Sequence, residues 1–504
     1  MTGILRWRSL AAAVLLAVLC LPARPQSISC GAPPKAKPHR IKGGESFPPL
    51  PLPVTPLRRT ERKRPPAPPV LIGKLAYGEK RTALMEDGTP YEYLDWKSDP
   101  ADAQSLLQFA CPKLGIRYRW QVVNADPFSW DPAQVPIVYI TGHHRFTIPN
   151  RAAQQLRRFV LAGGSVIADA CCGSEAFTDG FLDFVHATFP HRRFEPLPPE
   201  HPLFHAFFDI DEVTFQEGTK VVRQGPPEIF AVEIGCRAAV LFTCHDVSCG
   251  WDGHVHDTGA RIEPHDAVRL GTNMLTYILS YQSLGRFLAT TKAYHEEGML
   301  PGTDEFVFGQ LVHQGDWDPD PSAAASLLKA VNANTAIDVK FVRRNIDLSV
   351  PANVGAQLFG VPFLYMTGHH DFSLTPREVE TLGAYLTSGG SLLADACCGR
   401  AAFDAAFRRE IARVFPDRPL EKIPLDDPFY SSLYRIDRVH YVLQDGAVEP
   451  RLLGIKVDGY WVVVYSPDDI GNGWEGEEHP FVDGIAPEDS LKLGMNAIMY
   501  ALTH

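Results

Sequence analysis

The stretch VPIVYITGHHRFTIPNRAAQQLRRFVLAGGSVIADACCGSEAF, Val135 to Phe177, decides the fold because the chain carries it twice. It returns as VPFLYMTGHHDFSLTPREVETLGAYLTSGGSLLADACCGRAAF, Val361 to Phe403, at an offset of 226, without insertion and with 21 of 43 positions identical. A repeat on that scale is a duplicated domain rather than a solenoid unit. The register continues through FPHRRFEPLPPEHPLF, ending at Phe204, and FPDRPLEKIPLDDPFY, ending at Tyr430. It then slips by three, so that HDVSCGWDG at His245–Gly253 matches DDIGNGWEG at Asp468–Gly476, and LGTNMLTYIL from Leu270 matches LGMNAIMYAL from Leu493. The two copies are expected over residues 70–285 and 300–504.

Within copy two, FVFGQLV, IDVKFV, VPFLYMTG and SLLADA read as strands, and PSAAASLLKAVNA, TPREVETLGAYLTSGG and AAFDAAFRREIARVF as the helices between them. Short apolar runs without polar alternation belong to strands buried on both faces, which requires a mostly parallel sheet with helices on either side. The pairs Gly163/Gly164 and Gly389/Gly390 stand where helices should end. The predicted fold class is α/β: two tandem three-layer α/β/α domains with mostly parallel, flavodoxin-like sheets. Each closes with a helix near Asn273 or Asn496.

A chain of 504 residues, 45 % hydrophobic and 21 % charged, is ordinary globular material for two or three domains. At the N-terminus, Arg6 and Arg8 precede an apolar run ending near Ala23. The run is shorter than the roughly 20 residues a bilayer span needs. It predicts a signal peptide over residues 1–23 and export to the periplasm or another extracytoplasmic space. Lipoprotein anchoring through Cys20 is disfavoured, because the bulky Leu19 precedes it. No other segment is apolar enough to cross a membrane, so no transmembrane span is expected in the mature chain. Residues 24–69 read as a basic, proline-rich linker: positions 31–69 hold 12 prolines, nine Lys or Arg and two Asp or Glu. Of the net charge of −11, positions 31–69 contribute +7 and residues 1–30 contribute +3, leaving −21 on residues 70–504. An acidic body excludes a nucleic-acid-binding surface.

The His-His and Cys-Cys pairs follow strands that a right-handed crossover makes parallel neighbours, so both pairs face the crevice at the carboxyl edge of the sheet. Three chemistries use such an edge. In the first, Cys171 or Cys397 is a nucleophile, His143/His144 or His369/His370 its base, and Asp169 or Asp395 orients the imidazole. Asp169 and Cys171 would share a face if the strand stays extended, but neither copy shows a Gly-x-Cys-x-Gly elbow. In the second, a metal sits among Cys244, His245, Asp246, Cys249, His254 and His256. Copy two replaces three of these with Pro467, Asp468 and Asn472, and no spacing matches a zinc pattern, so neither a metal nor another cofactor is assigned. In the third, the cysteines and histidines simply pack.

The repeated Asp-[Val/Ile]-x-x-Gly-Trp-[Asp/Glu]-Gly motif nominates Asp246, Trp251, Asp469 and Trp474 as ligand-binding residues, with an indole plugging the core as the alternative. Trp96 and Trp317 each stand three residues before an aspartate followed by proline. Adjacent Cα atoms lie about 3.8 Å apart, whereas disulfides prefer about 4.4 to 6.8 Å, so a vicinal Cys171–Cys172 bridge would be strained. Cys397 and Cys398 are therefore free thiols, metal ligands, a strained bridge, or partners of copy one. Cys236, Cys244 and Cys249 have ordinary pairing options.

Together the pieces VPIVYITGHHRF and VPFLYMTGHHDF, LAGGSVIADACCGSEAF and TSGGSLLADACCGRAAF, the FP…LP and FP…IP steps and the Gly-Trp loops resemble the bacterial domain-of-unknown-function family 4159, twice over. The resemblance covers nearly all of residues 70–504. It implies a fold similar to class I glutamine amidotransferase-like domains and no particular activity. The expected function is an exported, non-catalytic tandem module that binds a small molecule, a cell-envelope polymer or a protein partner. A thiol-dependent hydrolase or amidotransferase-like enzyme is the alternative.

Overall fold

The computed structural model describes residues 67–291 and 306–504, except positions 86, 191, 255, 338, 351–357, 359, 477 and 478. The expected signal peptide and almost all of the linker lie outside them. In copy one, the strands β1 (Val70–Ala76), β2 (Arg119–Asn124), β3 (Ile137–Gly142), β4 (Ser165–Ala170), β5 (Glu195–Pro196), β6 (Phe230–Ile234) and β7 (Arg237–Thr243) form one sheet in the order β2-β1-β3-β4-β7-β6-β5. The first five of that order are parallel, and β6 and β5 add an antiparallel edge. Copy two repeats the plan with β8 (Phe306–Val312), β9 (Val339–Asp347), β10 (Phe363–Gly368), β11 (Ser391–Ala396), β12 (Glu421–Lys422), β13 (Leu453–Val457) and β14 (Tyr460–Ser466), in the order β9-β8-β10-β11-β14-β13-β12.

Helices cover both faces because the sheet residues alternate in direction. In β3, Ile137 and Tyr139 pack toward α1 (Asp102–Leu114), the short α4 (Ser248–Asp252) and α5 (Pro264–Thr291). Val138 and Ile140 pack the other way, toward α2 (Asn150–Leu161) and α3 (Glu175–Thr188). In copy two, Phe363 and Tyr365 face α6 (Ala323–Asn334), α9 (Gly471–Glu475) and α10 (Pro487–Thr503), while Leu364 and Met366 face α7 (Pro376–Thr387) and α8 (Ala401–Val414). These are the three-layer domains and mostly parallel sheets that the apolar pattern predicts. Among the described residues, no helix is long and apolar enough to cross a membrane.

The glycine pairs act as expected. Gly163 and Gly389 take φ of 95° and 100° after α2 and α7, and a Cβ on Gly164 would lie 2.3 Å from the Phe159 ring. The closing helices α5 and α10 each bury an asparagine that ties down the FP…LP or FP…IP loop. Asn273 Nδ2 donates to the carbonyls of Phe204 and Phe208, at 2.8 Å each, and Asn496 Nδ2 donates to those of Phe429 and Tyr434.

In the same loop His201 Nδ1 accepts from Leu203 N at 3.2 Å, where copy two uses the Asp427 carboxylate for Phe429 N. That cap requires a neutral ring. Burial first, and then Arg400, hold the His201 ring down at about 3. The unfolded chain takes up this proton near pH 6.5 and the folded chain does not, so stability is full above that pH and falls as pH drops toward 3. Between pH 6.5 and 4.5 the expected loss is roughly 2–3 kcal/mol. Urea titrations at the two pH values should show it, and His201→Asn, which keeps an acceptor that does not titrate, should remove it.

Candidate functional site

Strands β4 and β11 end at Ala170 and Ala396, and the backbone turns at once. Cys172 takes φ 55°, ψ 18° and Cys398 takes φ 54°, ψ 21°, the left-handed conformation that side chains rarely adopt. The alternation expected along the strand therefore stops before the second cysteine. Asp169 and Asp395, one residue upstream of the alanines, are fully buried and act as scaffold. Asp169 accepts from Val247 N at 2.9 Å, and Asp395 from Tyr365 Oη, Ile470 N and Gly471 N at 2.7, 2.7 and 2.9 Å. Neither orients a histidine. Asp246 and Asp469 pin the same loops: each accepts from the backbone of the second cysteine and from the residue three positions on in its own loop.

The indoles of Trp251 and Trp474 are 4 % and 1 % exposed and donate to Ala267 O at 3.0 Å and Ser490 O at 2.9 Å. A Cβ on Gly494 would sit 2.8 Å from Trp474 Nε1, so the helix behind is shaped to the ring. The structure places both tryptophans in the core, as plugs of the sheet edge, with no ring face open to a ligand.

The two Cys-Cys turns differ in what closes over them. In copy one, Gly259 and Ala260 lie against Cys172 and Gly173, so close that a Cβ on Gly259 would meet Cys172 O at 2.8 Å. Cys171, Cys172 and Cys249 form a small buried cluster, with the Cys171 and Cys249 sulfurs 3.9 Å apart. His143 and His144 are anchored through their backbone, both amides donating to Asp95 at 3.0 Å.

In copy two the cover comes from the other copy. The β6–β7 turn carries Gly235 and Cys236 at φ 53° and 59°, and it inserts the Cys236 thiol into the β11 turn. Its sulfur lies 3.3 Å from Cys397 Sγ and 2.9 Å from Asp320 Oδ1. Cys397 Sγ lies 3.1 Å from His369 Nε2 and 3.9 Å from Cys398 Sγ. His369 Nδ1 in turn bonds Asp316 Oδ2 at 2.9 Å, and Arg192 of copy one reaches the same carboxylate at 2.8 Å. The position that supplies the third thiol in copy one, Cys249, is Asn472 in copy two. Copy one thus donates across the junction what copy two lacks in its own loop.

The charges in this cluster support one another. Although burial opposes it, Asp316 and Cys398 hold the His369 ring well above its ordinary value. Hydrogen bonds with Cys236 and Cys397, and against burial also with His369, draw the Cys398 thiol well below its ordinary value. Burial pushes Cys397 up. Cys398 is half-buried, and with His369, His370, Arg400, Glu233 and Tyr281 it lines a cavity of about 440 Å³ between the copies. Glu233 of copy one, only 11 % exposed, accepts from Arg400 at 2.7 Å and lies 3.5 Å from His370 Nε2. Removing the guanidinium leaves a largely buried carboxylate with only the His370 and His201 rings beside it, so Arg400→Ala should destabilise the chain by about 3 kcal/mol. Adding Glu233→Gln to that variant should recover most of the loss in a urea titration.

Of the residues nominated from sequence, the structure brings Cys397 and His369 together. It sets His370 at the cavity wall and leaves Asp169, Asp395, Asp246, Asp469, Trp251 and Trp474 as framework. Sequence reasoning left Cys236 as one pairing option among several and missed Asp316. Asp316 carried a signal: Asp-Trp-x-x-Asp-Pro occurs as Asp95–Pro100 and again as Asp316–Pro321. Cys236 carried none, since Gly459 stands at its place in copy two's hairpin. The spacing argument against a metal also tested only donors close in sequence, whereas Cys236, His369, Cys397 and Cys398 come from three segments and bring their donor atoms within 4.8 Å of one another.

No curated protein matches the chain. The family model described as "Domain of unknown function (DUF4159)" matches it twice, at residues 86–279 and 307–502, and the chain belongs to that family as a tandem duplication of its domain.

Proposed function

We propose that the protein is an exported metal-binding module whose working centre lies at the junction of the copies. Cys236, His369, Cys397 and Cys398 are its ligands, and the ion is a thiophilic one of the zinc or copper(I) class. The supporting observation is the donor geometry. A tetrahedral zinc site with metal–sulfur bonds of about 2.3 Å has edges of about 3.8 Å. The three edges that meet at Cys397 measure 3.3 Å to Cys236, 3.9 Å to Cys398 and 3.1 Å to His369, close enough for a small shift to seat the ion. Three thiols and an imidazole form a soft donor set, and Asp316 behind His369 is the carboxylate that commonly fixes a ligating ring. The adjoining cavity gives a small molecule or an anchoring side chain a way to the ion, so binding remains the function and the junction its place.

A thiol-dependent hydrolase is the second reading. The chain Cys397–His369–Asp316, at 3.1 and 2.9 Å, has the connectivity of a nucleophile, a base and an orienting carboxylate. Against it, Cys397 is fully buried and its thiol is pushed up rather than activated.

Alkylation of the full chain with iodoacetamide at pH 6, followed by peptide mass mapping, separates the two. The metal reading expects Cys397 and Cys398 to be protected until a chelator is added. Selective labelling of one of them without chelator would replace it with the nucleophile.

A further inference from the structure

The first loop of copy one leaves a second group of donors unmatched, away from the thiols. Asp99 is 2 % exposed, and among the described residues its carboxyl group meets no hydrogen-bond donor other than the facing carboxyl group of Asp252. The Gly-Trp loop brings two further donors to it. The Asp252 side chain is 5 % exposed, and His254 Nδ1 lies 3.2 Å from Asp252 Oδ1 and 3.6 Å from Asp99 Oδ1. All three donor atoms fall within 4.8 Å of one another.

The nearest fixed cation does not serve this group. Lys74 Nζ spends its charge on Asp102 Oδ2 at 2.6 Å and reaches Asp99 only through its backbone carbonyl. Three carboxylates, Asp99, Asp102 and Asp252, therefore stand against one ammonium. Next to Asp99, the Ser98 hydroxyl oxygen is buried and unpartnered. An orphaned buried polar atom costs about 1–3 kcal/mol, and a carboxylate left without counter-charge costs more.

Copy two uses the equivalent acids differently. Asp320 and Glu475 correspond to Asp99 and Asp252. There Asp320 accepts from the Cys236 thiol at 2.9 Å, Glu475 accepts from Ser322 N at 2.9 Å, and His479 joins Cys236 and Asp320 beside the thiols. In copy one, then, a buried acid faces a second carboxyl group and an imidazole across a gap that a cation could fill.

We infer that Asp99, Asp252 and His254 bind a divalent cation of the manganese or iron(II) class, at a site distinct from the thiol centre. Two carboxylates and one imidazole suit such ions better than a soft one. The half-exposed His254, whose side chain is 46 % exposed, gives the ion a route in and leaves room for water on its open side. The site does not depend on the junction: each of its ligands comes from copy one.

The test uses the full chain, stripped with chelator and titrated with MnCl2, with free Mn²⁺ followed by electron paramagnetic resonance. About one Mn²⁺ per chain should leave the free pool, Asp99→Asn should abolish that uptake, and His254→Gln should weaken it by roughly 10–100-fold. Cys236→Ser should leave it intact, which separates this site from the thiol centre. Should Asp99→Asn fail to fold, the exposed His254 variant decides. No uptake by the wild-type chain, or uptake unchanged in the folded variants, overturns the site and leaves Asp252 and His254 as an ion pair beside a protonated Asp99.

Discussion

Cys236→Ser should strip the thiophilic metal from the chain, although residue 236 lies in copy one and the other three ligands lie in copy two. Losing one ligand of four should weaken metal binding by about 100-fold or more, since removal even of supporting groups around a ligand costs 10–100-fold. The same change in Cys249, which belongs to the closed copy-one cluster, should leave the metal in place. Copy-one thiols have poor prospects as a centre of their own, because Asp246 is consumed by Cys172 N, Ser248 Oγ and Cys249 N at 2.6, 2.9 and 3.0 Å. Metal analysis of the two variants side by side reads the difference. If both lose metal equally, the centre is not at the junction.

Trp474→Ala should cost about 4 kcal/mol, as truncation of a fully buried tryptophan does. The ring fills the end of the copy-two core against Tyr365, at a centroid distance of 4.8 Å, and its Nε1 holds Ser490 O. In a domain of this size each kcal/mol moves the midpoint by about 2–4 °C, so calorimetry should show a fall of roughly 10 °C for copy two. Trp251→Ala, against Tyr139 at 5.4 Å, should do the same for copy one. An unchanged midpoint in either variant would mean that the indole serves a ligand and not the core.

The fold was legible because it is written in local terms. The doubly buried runs at Ile137–Gly142, Ser165–Ala170, Phe363–Gly368 and Ser391–Ala396 contain no polar alternation, and the glycines at 163 and 389 stop the helices between them. Placing the His-His and Cys-Cys pairs at one sheet edge followed from that topology. The role of individual residues did not. Whether Trp474 faced ligand or core depended on Gly494 behind it, a contact 20 residues away in sequence. The thiol centre was harder still, because Cys397 and His369 find their third partner 161 residues upstream of Cys397, in a hairpin whose counterpart has no cysteine. The relation between the two copies, which no pattern within one copy encodes, builds this site.

Elemental analysis of the full chain, purified without chelator under anaerobic conditions, tests the account most directly. The junction predicts about one zinc or copper ion per chain, held through gel filtration, with Cys397 and Cys398 unreactive until it is removed. Less than about a tenth of an equivalent of either metal, with a Cys236–Cys397 cross-link or freely titrating thiols in its place, would contradict it.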